Sequence, residues 1–430
     1  MPLNIFIIGG GITGLAVAVG LARHGHQITV YERRLPGSEG QSGSGIQLQP
    51  NVNRILETWG MMEELKKVAH DNEICDLRRA DGSSIVKADL RPAGAVYYIL
   101  RRVCKDLFKQ FARNAGVEVL EGVNVVDMDA NLPAVVLEGG SKVEADLVIG
   151  ADGSGSKVRR LLFPSYKPAV LPQTCWQVIL PLGKVRSDPV LRTLLDEHHN
   201  LVTLSPGRSV FTSPVPRQDQ VDLQFTDHEY TLEQDPNPNH ANEHVSDLTC
   251  LRNRFSDHDA GTRKALQLAT SAFKWRFTEV IEGLPAWTSS SGKVVLLGDA
   301  CHSMPPYSGQ GTALGIEDAA VLSELLADVS PGDDLRPRLK LYEELRRSRC
   351  ERIRKYAKAI GRTRSEKDPQ KIAMRDRLWQ KTLIWKHAGA TADGNASFGS
   401  PEFQEWMEHY DVFEAVRAEL SKSKGARPRL

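Results

Sequence analysis

Residues 5–34 read IFIIGGGITGLAVAVGLARHGHQITVYERR, and this stretch leaves the chain little freedom in how it begins. Ile5 to Ile8 is an unbroken apolar run, the pattern of a parallel strand covered on both faces. Gly9, Gly11 and Gly14 follow in the spacing G-x-G-x-x-G, and Leu15 to Ala22 reads as helix. Gly25 stands where a helix-ending glycine belongs, and Ile28 to Tyr31 forms the next strand, closed by Glu32. Each glycine has a task in such a unit. Gly9 permits a tight turn, Gly11 lets a pyrophosphate come against bare backbone, and Gly14 lets helix and strand pack closely. The helix start adds partial positive charge. A carboxylate at Glu32 suits ribose hydroxyls and disfavours a 2′-phosphate. The motif fits FAD and NAD equally, and no second G-x-G-x-x-G occurs.

This apolar opening, residues 3–22, imitates a membrane anchor, but it lacks a basic leader, five glycines interrupt it, and no cleavage-like site follows. Elsewhere no segment reaches the ~20 apolar residues of a spanning helix. The expectation is a cytoplasmic protein without a membrane span. A formal net charge of +1 gives no basis for nucleic-acid binding. The six cysteines are scattered without a C-x-x-C pair and read as reduced thiols. At 430 residues the chain exceeds one compact core.

Two later stretches repeat the step from buried strand through a turn into a helix. In LVIGADGSGSKVRRLL, from Leu147, a strand leads to Asp152-Gly153 and a helix carrying Val158 and Arg159. In KVVLLGDACHSMPPYSGQGTALGIEDAAVLSELL, from Lys293 to Leu326, a strand delivers Gly298-Asp299. Asp299 is placed to accept from a ribityl hydroxyl. Pro305 and Pro306 fix φ and remove two amide donors, and Gly309-Gln310-Gly311 opens a helix from Thr312 to Leu326. A reduced flavin carries negative charge on its pyrimidine edge, and a helix start stabilises that charge without a titrating base.

Together these stretches resemble the group A FAD-dependent aromatic monooxygenases, with the para-hydroxybenzoate hydroxylase fold, and among them the salicylate-hydroxylase-like branch. The likeness extends through GSGIQLQPNVNRILETWG, YYILRRVCKDL, LYEELRRSRCERIRK and EWMEHYDVFEAV. It implies an α/β chain: a Rossmann-like FAD-binding domain, an inserted α+β substrate domain built on a β-sheet, and a helical C-terminal tail. It implies FAD contacts at Glu32 with Arg33 beside it, at Gly45, and at Arg102 with Arg101 as the alternative. Asp152-Gly153, Asp299, Pro306, Gly309, Gly311, Thr312 and Ala313 complete that set. The implied reaction uses NADH or NADPH as transient reductant and O2 as co-substrate. A flavin hydroperoxide, kept dry, passes one oxygen to an electron-rich carbon by hydroxylation or epoxidation. An oxidase or reductase on the same fold, without oxygen insertion, is the alternative.

The sequence also departs from that branch. Many relatives carry a substrate-binding arginine where TCWQVILP places Gln177, and a neutral amide cannot pair with a carboxylate or phenolate as arginine does. Gln177, Trp176 and Pro306 are the catalytic candidates. Trp176, Phe211, Phe225 and Trp275 point to a bulky, weakly polar aromatic substrate of the phenol, indole or polyketide kind, as in secondary metabolism. His199, His228, His258 and Tyr230 read as surface residues, so no general base stands out. Cys301 reads as a small buried thiol and His302 as structural; two ligands do not make a metal site. The basic run LRRSRCERIRK reads as a solvated helix face.

The expected division is 1–72, 97–165 and 290–365 for the FAD-binding domain, 73–96 and 166–289 for the substrate domain, and 366–430 for a helical extension. Residues 233–247 read as a mobile loop, either a lid or an idle surface segment. The tail, with Trp379, Trp385 and Trp406, either covers the pocket or supports a dimer, so the chain is a monomer or a homodimer.

Overall fold

A computed structural model describes residues 1–37, 44–91, 94–196, 199–230, 234, 242–280, 283–382 and 391–425. The fold is mixed α/β. Its centre is a five-stranded parallel sheet in the order Val294–Leu296, Leu147–Gly150, Asn4–Ile8, Gln27–Glu32, Glu118–Glu121. Ile5, Ile7, Leu147, Val148, Ile149, Val294 and Val295 are fully buried, as both-face coverage by helices requires. Helices Ile12–Arg23 and Gly311–Leu326 pack against each other across this sheet. A Cβ on Gly20 would meet Ser323, and one on Gly315 would meet Thr13, so the two helices run in the same direction.

A second, eight-stranded sheet runs Asn242–Val245, Ala272–Glu279, Ala169–Pro181, Gln220–Asp227, Arg208–Val215, His199–Ser205, Ile74–Arg79, Ser84–Asp89. All pairs are antiparallel except His199–Ser205 with Ile74–Arg79. One face packs on helices Leu182–Ser187, Thr249–Arg254 and Ala260–Leu268 to form a core of its own, around Val178, Leu223 and Phe255. The other face turns toward the parallel sheet. Between the two lies a small sheet of Gly45–Leu48, Val96–Leu100 and His70–Asn72.

The 233–247 stretch is not all loop. Asn242–Val245 pairs antiparallel with residues 272–275 as an edge strand, because an open sheet edge offers ladder partners whatever the local composition; 235–241 lie outside the described residues. The C-terminal helices are Pro369–Thr382, Pro401–Glu408 and Val412–Gly425. Trp379 packs on the far end of the large sheet with Leu77, Val202, Leu204 and Phe211, and Trp385 lies outside the described residues. Among the described residues no helix is long and apolar enough to cross a membrane.

Candidate cofactor and substrate site

Because the central strands are parallel and adjacent, their carboxyl ends open on one edge. Three turns leave there side by side: Gly9–Gly11, Ala151–Gly153 and Gly298–Asp299. The two parallel helices begin at the same edge. Neither Ile12–Arg23 nor Gly311–Leu326 has a side-chain cap or an acid in its first turn, so their leading amides and positive dipole ends are left to face an anion.

The glycines there divide by cause. Gly9 has φ +110°, and a Cβ would lie 2.5 Å from the Ala151 carbonyl oxygen. At Gly14 a Cβ would lie 1.9 Å from the Gly9 carbonyl oxygen. Both are demanded by the polypeptide. Gly11 has an ordinary φ of −76°, and a Cβ on Gly11 or Gly311 would meet nothing within 4 Å. Among the described residues, no packing contact explains the missing side chain at either position.

The charges follow the same logic. The Glu32 carboxylate accepts from the amides of Gly10 and Arg34, both at 2.9 Å, which fixes it at the turn. Arg33 is exposed. Arg101 and Arg102 are exposed in the first turn of Arg101–Asn114, where the helix dipole works against a cation unless an anion is present. Asp152 does not stand open. Its carboxylate accepts from Ser156 Oγ and from the amides of Lys157 and Val158, capping its own helix. Asp299 is half-buried, and no described group hydrogen-bonds its carboxylate. Replacing Asp299 with alanine is therefore expected to weaken FAD binding about 10- to 100-fold, the size of a charged hydrogen bond. Apoprotein stability should stay unchanged, a pairing checked by flavin fluorescence titration beside thermal melts.

Gly309 has φ +66° and packs against Gln47 and Gln49; Pro306 is exposed, Thr312 half-buried and Ala313 buried. A Cβ on Gly45 would fall 2.0 Å from the Tyr98 ring. An anionic dinucleotide ending in a flat ring fits this set: two open helix starts, two bare glycines, and, among the described residues, a carboxylate and two arginines without a side-chain partner. Arg159, which the sequence placed on this helix without a role, ties the second turn to the third by donating to the carbonyls of Ser154 and Ala300.

On the large sheet, alternation sorts the expected substrate residues. Gln177, Phe211, Gln224 and Phe273 lie across from one another in register, on the face toward the parallel sheet. Trp275 and Phe277 continue that face along their strand. Phe277 and His228 both pack on Tyr307, from the loop before Gly309, at ring distances of 5.7 and 5.2 Å. Trp176 and Phe225 point the other way. They are buried in the sheet's own core, against Tyr230 and Phe255. Trp176→Ala is thus expected to cost about 3–5 kcal/mol of stability, read by urea denaturation, with substrate preference untouched, whereas Trp275→Ala should move KM.

Gln177 is not an open group in the arginine's place. Its Nε2 donates to Asp222 at 2.7 Å, alongside Tyr98 Oη (2.7 Å), Gln224 Nε2 (2.9 Å) and the Gly45 amide (2.8 Å). Burial pushes the Asp222 carboxyl up, and these four donors oppose it. His228, His258 and Tyr230, expected at the surface, are all at least nine-tenths buried. Burial holds His228 down at about 4, so it is neutral at pH 7.

Behind the third turn lies a buried ion network. Glu317 and Asp318, neighbours on Gly311–Leu326, meet Arg346 at 2.7 and 2.8 Å, and Glu317 also meets Arg349 at 2.8 Å. His302 Nε2 lies 2.6 Å from Asp318. The LRRSRCERIRK run is therefore not wholly solvated: Arg346 and Arg349 are buried. Two adjacent acids in an otherwise apolar helix are the signal that could have found these partners. Cys301, His302 and Asp318 come within metal-ligating reach of one another. The Asp318 carboxylate is already engaged by Arg346, His302 and the Gly298 amide, which makes this an ion network. Burial raises the Cys301 thiol to about 12, so it is inert.

Comparisons with known proteins agree on the family. The family described as "FAD binding domain" matches residues 3–357. The FAD-dependent monooxygenase OpS4 of Beauveria bassiana is 28% identical over 98% of both chains. The 3-amino-4-hydroxybenzoate 2-monooxygenase PtnB3 of Streptomyces platensis is 30% identical over 87% of this chain and 91% of its own. Among solved structures, CtdE in complex with FAD and substrate 4 superposes with a TM-score of 0.80 at 19% identity, covering 98% of each chain. A salicylate hydroxylase substrate complex gives 0.76 at 22%, covering 97% of each.

Proposed function

The chain belongs to the FAD-binding-domain family of flavoprotein monooxygenases, and from that premise we propose that it inserts one oxygen atom from O2 into a bulky aromatic or heteroaromatic small molecule. The reductant is NADH or NADPH. One observation carries this reading: Tyr307, in the loop that leads to Gly309-Gln310-Gly311, stacks on His228 and packs edge-on to Phe277 of the large sheet. The helix start that faces the cofactor and the aromatic wall of the sheet thus close on one space. Residues 1–72, 97–165 and 290–365 hold the cofactor; 73–96 and 166–289 hold the substrate; 366–430 form the outer support.

What FAD supplies when bound is two-electron reduction by the nicotinamide and activation of O2. The chain supplies the rest. The leading amides of Gly311–Leu326 stabilise negative charge on the ring's edge. Asp299 and Glu32 accept from hydroxyls of the cofactor, and Arg101 or Arg102 takes its phosphates. Phe211, Trp275, Phe277 and Tyr98 keep water from the reacting atoms and seat a flat substrate. The test is nicotinamide oxidation and oxygen uptake by the purified holoenzyme against a panel of phenols, naphthols and indoles under labelled O2. Label in the product is the expected result. Substrate-stimulated consumption with no label in any product would replace this reading with an oxidase or reductase.

A further inference from the structure

Arg364 ends the helix Arg336–Arg364, half-buried, and no hydrogen bond or ion pair joins it to any described residue. Other inward cations of the same helix have partners: Arg346 with Asp318, Arg349 with Glu317, Lys358 with Glu279, and Arg352 with the carbonyls of Gly394 and Ala396. A helix C-terminus favours a cation, but exposed Arg362 in the same turn already meets that preference.

Its surroundings are those of the substrate wall. Gly361, one turn before Arg364 on the same helix face, lies under the Tyr307 ring, where a Cβ would come within 2.5 Å. His228 stacks on that ring and receives or gives a 3.1 Å hydrogen bond between its Nδ1 and Tyr307 Oη. The nearest acid to His228, Asp227, is turned to Arg254. The charge of Arg364 reaches His228, Tyr307 and Cys75: it adds to the larger effect of burial in lowering His228, and opposes the larger effect of burial in raising Tyr307 and Cys75. Two buried polar groups on the same sheet face await partners. Among the described residues His228 Nε2 has none, and neither amide atom of Asn200, directly across from Cys75, has one. Buried polar atoms without partners are rare enough to require a cause.

We propose that Arg364 determines specificity by pairing with an oxyanion of the aromatic substrate, a carboxylate, phenolate or enolate, while His228 Nε2 makes the neighbouring hydrogen bond. The strand position where relatives place their arginine is held here by Gln177, bound to Asp222, so the charge arrives instead from the end of the long helix. A planar guanidinium matches an oxyanion two bonds at a time, and partial burial strengthens the match. The inference rests on the monooxygenase reading only in taking this sheet face as the substrate's.

The test is a flavin absorbance titration of the purified holoenzyme with 2-naphthoate and its neutral isostere 2-naphthamide, without nicotinamide. The wild type should bind naphthoate more tightly. Arg364→Gln should weaken naphthoate about 10- to 100-fold and leave the amide within about threefold, while Arg364→Lys, which keeps the charge and loses the fork, should recover part of the loss. Thermal melts of both variants establish that they fold. Equal weakening of both probes, no weakening, or a wild type blind to naphthoate would each overturn the assignment and leave Arg364 a helix-end residue. Failure of labelled oxygen to enter product bears on the monooxygenase reading alone, because this titration involves no turnover.

Discussion

Gly11→Val is expected to give a folded protein that purifies without colour. The added Cβ meets no described atom within 4 Å and the φ is ordinary, so the apoprotein should melt within a degree or two of wild-type apoprotein. The branched side chain would nonetheless stand where bare backbone faces the pyrophosphate, and bound flavin per chain should fall below about a tenth. Gly14→Ala makes the opposite prediction from three residues away. Its methyl would lie 1.9 Å from the Gly9 carbonyl oxygen, inside the packed contact between strand and helix, and should cost about 3 kcal/mol. Flavin absorbance per chain and thermal unfolding of the apoproteins separate the two. Apo forms must be compared with apo forms, since ligand binding itself raises the melting temperature. A Gly11→Val protein that keeps stoichiometric flavin would refute the placement of the cofactor.

Asp318→Ala should be among the most destabilising single substitutions in the molecule. It strands the His302 imidazolium in a dry interior and leaves the Arg346 guanidinium with one carboxylate, Glu317, where it had two, a loss of about 3–5 kcal/mol. The network also has a pH signature. Burial opposes the charged His302, but the ionised Asp318 carboxylate at 2.6 Å favours it, and its pKa stands well above the ordinary value. Above about pH 6.5 the folded protein therefore keeps a proton that the unfolded chain has released. Stability then falls as pH rises toward the folded value, by about 1.4 kcal/mol per unit. Asp318 gives the acid limb. His302 and Arg346 outweigh burial and hold it at about 2, so its contribution is complete above the ordinary carboxylate range and fades as pH drops toward that value. Urea titrations from pH 6.5 to 8.5 should show the alkaline slope in wild type and a flatter line in His302→Gln. An unchanged slope in that variant would remove His302 as the titrating group.

The strand exits were legible because local rules force them. A glycine at φ +110° against a carbonyl, or a helix start without a cap, leaves a mark in the amino acids themselves. The sides of the large sheet were not legible. In AVLPQTCWQVILP, apolar residues occupy both faces, since one covers the sheet's own core and the other an aromatic chamber. With no polar alternation to mark the sides, Trp176 and Trp275 look alike until register separates them. Arg346 and Arg349 were hidden for a related reason: a basic helix reads as solvated until the acids of another helix are placed beside it. His228 lacks any local mark of burial, because strand-end histidines are sorted by what packs over them, here Tyr307.

The rim of the proposed cofactor site draws on residues near positions 11, 102, 299 and 311, and its rear is braced where Arg349 donates to the carbonyls of Trp406 and Met407. A ribosome has therefore made about three-quarters of the polypeptide before the site's last walls can form. Until then the nascent N-terminal unit has a single half-finished phosphate cradle and no third wall. On the proposed cofactor placement, flavin loading is expected late in biogenesis, and a cell short of the vitamin is expected to accumulate complete but empty chains rather than stalled ones.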